Sequence, residues 1–113
     1  MSIVKQAVEK YDGRVIPYTC VKDVIVGDVI ALGNNMVGIA VNSGLVGETI
    51  SLEIEKVWII KAKATDVINV GDSLYWDDVA KELTLKKTDN TYTGKSMVSK
   101  GANSNIVEVK INV

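Results

Sequence analysis

The stretch Glu48-Thr49-Ile50-Ser51-Leu52-Glu53-Ile54-Glu55 alternates strictly between apolar and polar residues. In an extended chain Ile50, Leu52 and Ile54 fall on one side, and Thr49, Ser51, Glu53 and Glu55 on the other. Successive side chains of a strand point to opposite faces, so a period of two is the mark of a half-buried antiparallel strand. The stretch predicts a strand whose apolar row meets a core and whose polar row, Glu53 included, meets solvent.

The same logic extends outward. Val107, Val109, Ile111 and Val113 alternate with Glu108, Lys110 and Asn112. The run Val57-Trp58-Ile59-Ile60 is apolar on both faces; it predicts a strand covered on both sides, or one whose second face meets another subunit. Turn signals recur at roughly 8–12-residue intervals, the spacing of a sandwich or barrel. Pro17 is the single proline, so strand breaks rest on Gly, Asn and Asp.

A faint echo runs through the chain: Val26-Gly27-Asp28-Val29-Ile30 matches Val70-Gly71-Asp72-Ser73-Leu74. Gly27 and Gly71 supply a backbone angle that a β-carbon disfavours, and Asp28 and Asp72 cap the turn through their side chains. The expected fold is all-β: a compact antiparallel β-sandwich or barrel, jelly-roll or β-tulip-like, over 13–113 as a single β domain. An N-terminal arm, 1–12, precedes it, with at most one or two short helical turns. Ile3, Val4, Ala7 and Val8 would share one face of a short helix, or belong to an extended arm that orders on docking.

Composition narrows the chemistry. The 113 residues suffice for one modest core. Net charge is −1, with a single arginine, Arg14, and no basic block, which argues against direct nucleic-acid binding. No apolar run approaches the length of a membrane span. Met1-Ser2-Ile3-Val4-Lys5 carries no signal-peptide pattern. There is no histidine and one cysteine, which removes His-based triads, His metal sites and internal disulfides. Cys20 reads as a small buried hydrophobe.

Asn90-Thr91-Tyr92-Thr93-Gly94-Lys95-Ser96 ends as a nucleotide-binding P-loop ends. The full pattern needs a glycine five residues before Gly94 and a helix after Ser96. Position 89 holds Asp89, and Met97-Val98-Ser99-Lys100 runs into Gly101. The plain reading is a glycine in a strand, with Lys95 pointing to solvent. Asp77 and Asp78 are adjacent acids, but Val79-Ala80-Lys81 lacks the alternating oxygen ligands of a calcium loop. A solvated hairpin turn is expected there. No catalytic, cofactor or metal site is expected.

In order and spacing, several segments resemble the capsid cement, or head-decoration, proteins of tailed bacteriophages and prophages, whose members often carry a recombinase label. They are Tyr18-Thr19; Val26-Gly27-Asp28-Val29-Ile30-Ala31-Leu32-Gly33; Val37-Gly38-Ile39-Ala40; Gly47-Glu48; Glu55-Lys56-Val57-Trp58 with Lys61-Ala62; Val70-Gly71-Asp72-Ser73-Leu74-Tyr75-Trp76-Asp77; and Gly94. The resemblance implies a non-enzymatic structural protein without cofactor. It would be made in the host bacterial cytoplasm and bound to the outer surface of a virion capsid. Its partners would be the major capsid protein and itself, as homo-dimer or homo-trimer, with neither nucleic acid nor membrane. Each copy would bridge neighbouring shell subunits. Ile3, Val4, Ala7 and Val8, and the aromatic set Trp58, Tyr75 and Trp76, are the expected capsid or subunit contacts; in a chain with no Phe, the stronger reading of the aromatics is core bulk. A β-barrel module binding a carbohydrate or cell-surface ligand is the alternative, and it requires exposed aromatics lining a groove.

Overall fold

The computed structural model describes residues 6–113. Nine strands and no helix are found among them: β1 Val15–Thr19, β2 Val29–Ala31, β3 Val37–Ala40, β4 Thr49–Glu53, β5 Val57–Lys61, β6 Ser73–Asp77, β7 Glu82–Thr84, β8 Thr91–Ser96 and β9 Ile106–Ile111. They form two antiparallel sheets, ordered β1-β4-β3-β2 and β5-β9-β8-β6-β7. The expected all-β, antiparallel class is what the chain adopts. The second sheet curls until Ala62 bridges Leu83 in parallel, bringing the chain after β5 beside β7.

The alternation at 48–55 works as expected for Ile50 and Leu52, which are buried in a cluster with Cys20, Val24, Ile30 and Ala40. A second cluster joins Leu74, Trp76, Leu83, Val107, Val109 and Ile111 to Val37 and Ile39 of the first sheet. Strand β3 therefore serves both cores, which is why all four of its residues are buried. Glu53 departs from expectation: it is buried, not solvent-facing. It pairs with Val15 on one side and Ile39 on the other, so a central-strand position covers it. Lys56 Nζ, at 3.0 Å, and Arg14 Nε, at 3.7 Å, neutralise its Oε1. That oxygen has no aligned hydrogen bond, so the pairing is through charge.

The faint echo in the sequence is a duplication in three dimensions. In the first sheet Val15–Thr19 pair with Glu53–Thr49; in the second, Val57–Lys61 pair with Lys110–Ile106 in the same register. Ile39 and Ala40 oppose Glu53 and Leu52, as Lys95 and Ser96 oppose Lys110 and Val109. Ile30 opposes Gly38, as Leu74 opposes Gly94. Strands β1, β2, β3 and β4 thus correspond to β5, β6, β8 and β9, with β7 inserted in the second half. "Gly-Lys-Ser" at 94–96 is the counterpart of Gly38-Ile39-Ala40. Gly94 is required by close approach: a β-carbon there would stand 2.0 Å from the Lys110 carbonyl oxygen.

Asn112 ties the halves. Its Oδ1 accepts from Val37 N at 2.9 Å, and its Nδ2 donates to the carbonyls of Val37 and Ile54, each at 2.8 Å. The β2–β3 hairpin also meets β8, where Tyr92 N donates to Asn34 O at 2.9 Å and Thr91 Oγ1 to Gly33 O at 3.0 Å.

Candidate functional site

Three short segments adopt one conformation: Ile25-Val26-Gly27-Asp28, Leu45-Val46-Gly47-Glu48 and Asn69-Val70-Gly71-Asp72. The glycines have φ of 94, 89 and 90°, the left-handed setting at the third position of a type II turn. In each, the acidic residue's amide donates to the first residue's carbonyl, at 3.0, 2.9 and 3.0 Å. Its carboxylate accepts the first residue's amide in return, at 3.0, 2.6 and 2.8 Å. The valine amide then donates to a side chain of another segment: Val26 to Ser43, Val46 to Asp23, Val70 to Ser99. We refer to each such turn as a clasp.

The first two clasps grip one another. Val24 and Gly44 exchange both backbone hydrogen bonds, Gly27 N donates to Ala40 O, and Gly47 N donates to Cys20 O. Every bond that 20–28 makes to 40–48 is returned by the corresponding residue, so the pair has a local two-fold relation. Its outward side chains form matched couples: Val21 with Val41, Ile25 with Leu45, Val26 with Val46. All six are exposed, Ile25 at 67% and Leu45 at 63%. The third clasp docks on 96–100, with Ile68 and Lys100 exchanging their backbone bonds. There the loop from Ala62 to Ile68 is longer than Cys20–Val24, and the buried Lys100 amine fills it, donating to Ala64 O at 3.3 Å and to Asp66 O.

The second feature is a slot of about 590 Å³ between β2 and β5, with Val29, Ile30, Trp58, Ile59 and Trp76 among its walls and Lys22, Lys61 and Lys81 around it. Trp58 is half-buried, its Nε1 satisfied by Glu55 O at 2.8 Å. Trp76 belongs to the core and donates to Asp78 Oδ1 at 3.0 Å. Tyr75, next along β6, points to the opposite face and stacks edge-on with Tyr92 at 5.6 Å between centroids. The structure therefore brings Trp58 and Trp76 together and separates Tyr75 from them. Ala7 and Val8 are exposed without regular secondary structure; Ile3 and Val4 lie outside the described residues. Gly27 and Gly71 sit at the left-handed positions of the first and third clasps, and Asp28 and Asp72 supply their carboxylates.

The acidic pair divides its work. Asp77 Oδ1 accepts the amides of Val79 and Ala80, both at 3.0 Å. Asp78 Oδ1 accepts Lys81 Nζ at 2.8 Å. That bond, seconded by the Trp76 N–H, holds the Asp78 carboxyl below its usual range, and Asp78 raises Lys81 in turn. Lys95 is not the solvated lysine expected: it is half-buried, donates to Ser73 Oγ at 2.6 Å and lies 5.5 Å from the Tyr92 ring centroid. It is held beside a serine and an aromatic face on the strand, with no phosphate-wrapping loop. Sequence reading missed the clasp at Leu45–Glu48 because Glu48 replaces Asp. The discoverable signal was Val-Gly followed by an acid, with Ser or Asp three residues into the partner segment.

A family model described as phage cement protein matches residues 10–111. No curated protein and no solved structure matches the chain.

Proposed function

From the premise that this chain belongs to the phage cement protein family, whose role is structural and capsid-associated, we propose that it decorates the outside of a phage or prophage capsid and bridges neighbouring shell subunits. The observation that carries this reading is the interlocked pair of clasps. A bridge between two equivalent subunits needs the same contact twice, and the couples Val21/Val41, Ile25/Leu45 and Val26/Val46 present one apolar triplet twice about a local two-fold. Contiguous exposed apolar groups of this kind mark interaction sites, where isolated ones do not. Each contact is modest by itself, and binding through both multiplies the effect.

The test is to mix purified protein with expanded, undecorated capsids and follow saturable density on the shell. Ile25→Asp and Leu45→Asp should each weaken binding to a similar degree, while Val79→Asp, on the exposed β6–β7 turn, should not. Undiminished binding by the Ile25→Asp/Leu45→Asp double variant sinks the reading. The carbohydrate-binding alternative gains no support here: of the two tryptophans at the slot, Trp76 is buried, and Tyr75 faces elsewhere.

A further inference from the structure

The duplication provides an internal comparison that isolates one edge. Strand β5 is terminal in its sheet. Ile111 N donates to Lys56 O and Ala62 N to Asn105 O, so the even-numbered residues of β5 hydrogen-bond to β9. By the alternation of an antiparallel ladder, the amides and carbonyls of Val57, Ile59 and Lys61 point away from it. Across the slot, Ala40 N donates to Asp28 O and Leu32 N to Met36 O, so Val29 and Ala31 of β2 point away from β3 in the same manner. Lys61 is partly taken: in the parallel bridge between Ala62 and Leu83, where Lys63 N donates to Leu83 O, the Lys61 carbonyl accepts the Leu83 amide. Val57, Ile59, Val29 and Ala31 pair with no further strand among the described residues. The slot is therefore flanked by the open edge of β2 at Val29 and that of β5 at Ile59, with Trp58, Trp76 and Ile39 also in its lining.

The corresponding edge of the first half is blocked. Ile54 N donates to Arg14 O and Cys20 N to Glu48 O, so position 17 of β1 faces outward. It is Pro17, which has no N–H to offer. Edge prolines of this sort prevent strand addition. In register, Pro17 corresponds to Ile59, which keeps its N–H and exposes 71% of its surface. The β1 edge is closed to a further strand at Pro17, and its counterpart in β5 is open at Ile59.

We propose that the slot between β2 and β5 accepts an extended strand, and that its occupant is the N-terminal segment, residues 2–10, of a second copy of this chain. A segment entering a slot walled on both sides must have both of its own edges free. Residues 6–10 meet that condition, since they are exposed and belong to neither sheet. Extended, 2–12 reach roughly 35–40 Å. They leave from β1, at the opposite edge of its sheet from β2, so the arm departs on the far side from its own slot. Val4 and Val8, which share a face of an extended segment, supply apolar groups for the floor, and main-chain bonds to the two edges supply the rest, as in other strand-addition complexes. Donation of this kind closes as a reciprocal pair or a small ring.

The experiment needs no capsid, so its outcome is independent of the shell-bridging reading. Light scattering should give a dimer or trimer for the full chain and a monomer after removal of 2–10. A peptide of residues 2–11 should then bind the shortened protein saturably, read by tryptophan fluorescence at Trp58. Ile59→Pro transplants the block from the other half onto an N–H that β9 does not use, and should weaken peptide binding at least tenfold. Pro17→Ile should leave it unchanged. A peptide N-methylated on alternate residues tests the main-chain bonds with the protein unaltered and should also fail to bind. A monomeric full chain, including one with its arm in its own slot, overturns the proposal. So does peptide binding that survives both Ile59→Pro and N-methylation, or binding seen only when shell protein is added.

Discussion

Asn112 carries more of the architecture than its position on a polar strand face suggests. Its amide group imitates a peptide unit, satisfying both polar groups of Val37 that face it and the carbonyl of Ile54. Its own φ of 59° is one that asparagine tolerates better than most residues. Asn112→Ala strands the buried backbone of Val37 without partners, and should cost roughly 2–3 kcal/mol in denaturant unfolding. Gly94→Ala drives a β-carbon into the Lys110 carbonyl, and should cost about 3 kcal/mol or more by the same measurement. The sequence made Gly94 conspicuous for the wrong reason, its resemblance to a phosphate loop. It did not mark Asn112, because an alternating strand pattern assigns a residue to a face and says nothing of the neighbouring half that covers it. Glu53 was misassigned because the same pattern does not reveal that its strand is central, flanked by β1 and β3.

At the scale of elements, strands were legible wherever one face is buried and the period of two survives, as at β4 and β9. The clasps were half legible. Two were visible as Val-Gly-Asp, but their partners Ser43, Asp23 and Ser99 lie far along the chain, and pairing between distant segments leaves no local pattern. The β6–β7 turn gives an element-scale prediction about pH. The Asp78 carboxyl is held low by Lys81, so its contribution is fully present above the ordinary carboxylate value of about 3.9 and is lost as pH falls through its depressed value. Lys81 is raised by the same bond; its contribution is present below about 10.4 and is lost as pH climbs through the raised value. Because Trp76 Nε1 donates to Asp78, an acid titration followed by tryptophan emission should show a transition below about pH 4 that Asp78→Asn removes. An unchanged transition in that variant would break the assignment.

For the molecule as a whole, duplication explains how a chain of 113 residues presents distinct surfaces without a helix among its described residues. The two halves share a register and differ in what they leave uncovered: a two-fold apolar face on the first, an open strand edge at Ile59 on the second. If the first binds the shell, Ile25→Asp and Leu45→Asp should each convert two-point attachment into one-point attachment. Capsids decorated with either variant should release it faster on dilution, by tenfold or more given the usual gain from bivalency, while the number of sites at saturation stays the same. Quantitative electron microscopy of diluted particles checks this. The contrast between Pro17 and Ile59 has a further consequence, outside binding altogether. An unguarded β edge beside greasy walls is a template for uncontrolled stacking. Preparations lacking residues 2–10 should cloud and accumulate fibrous deposits on concentration, and the same Ile59→Pro change should keep them clear.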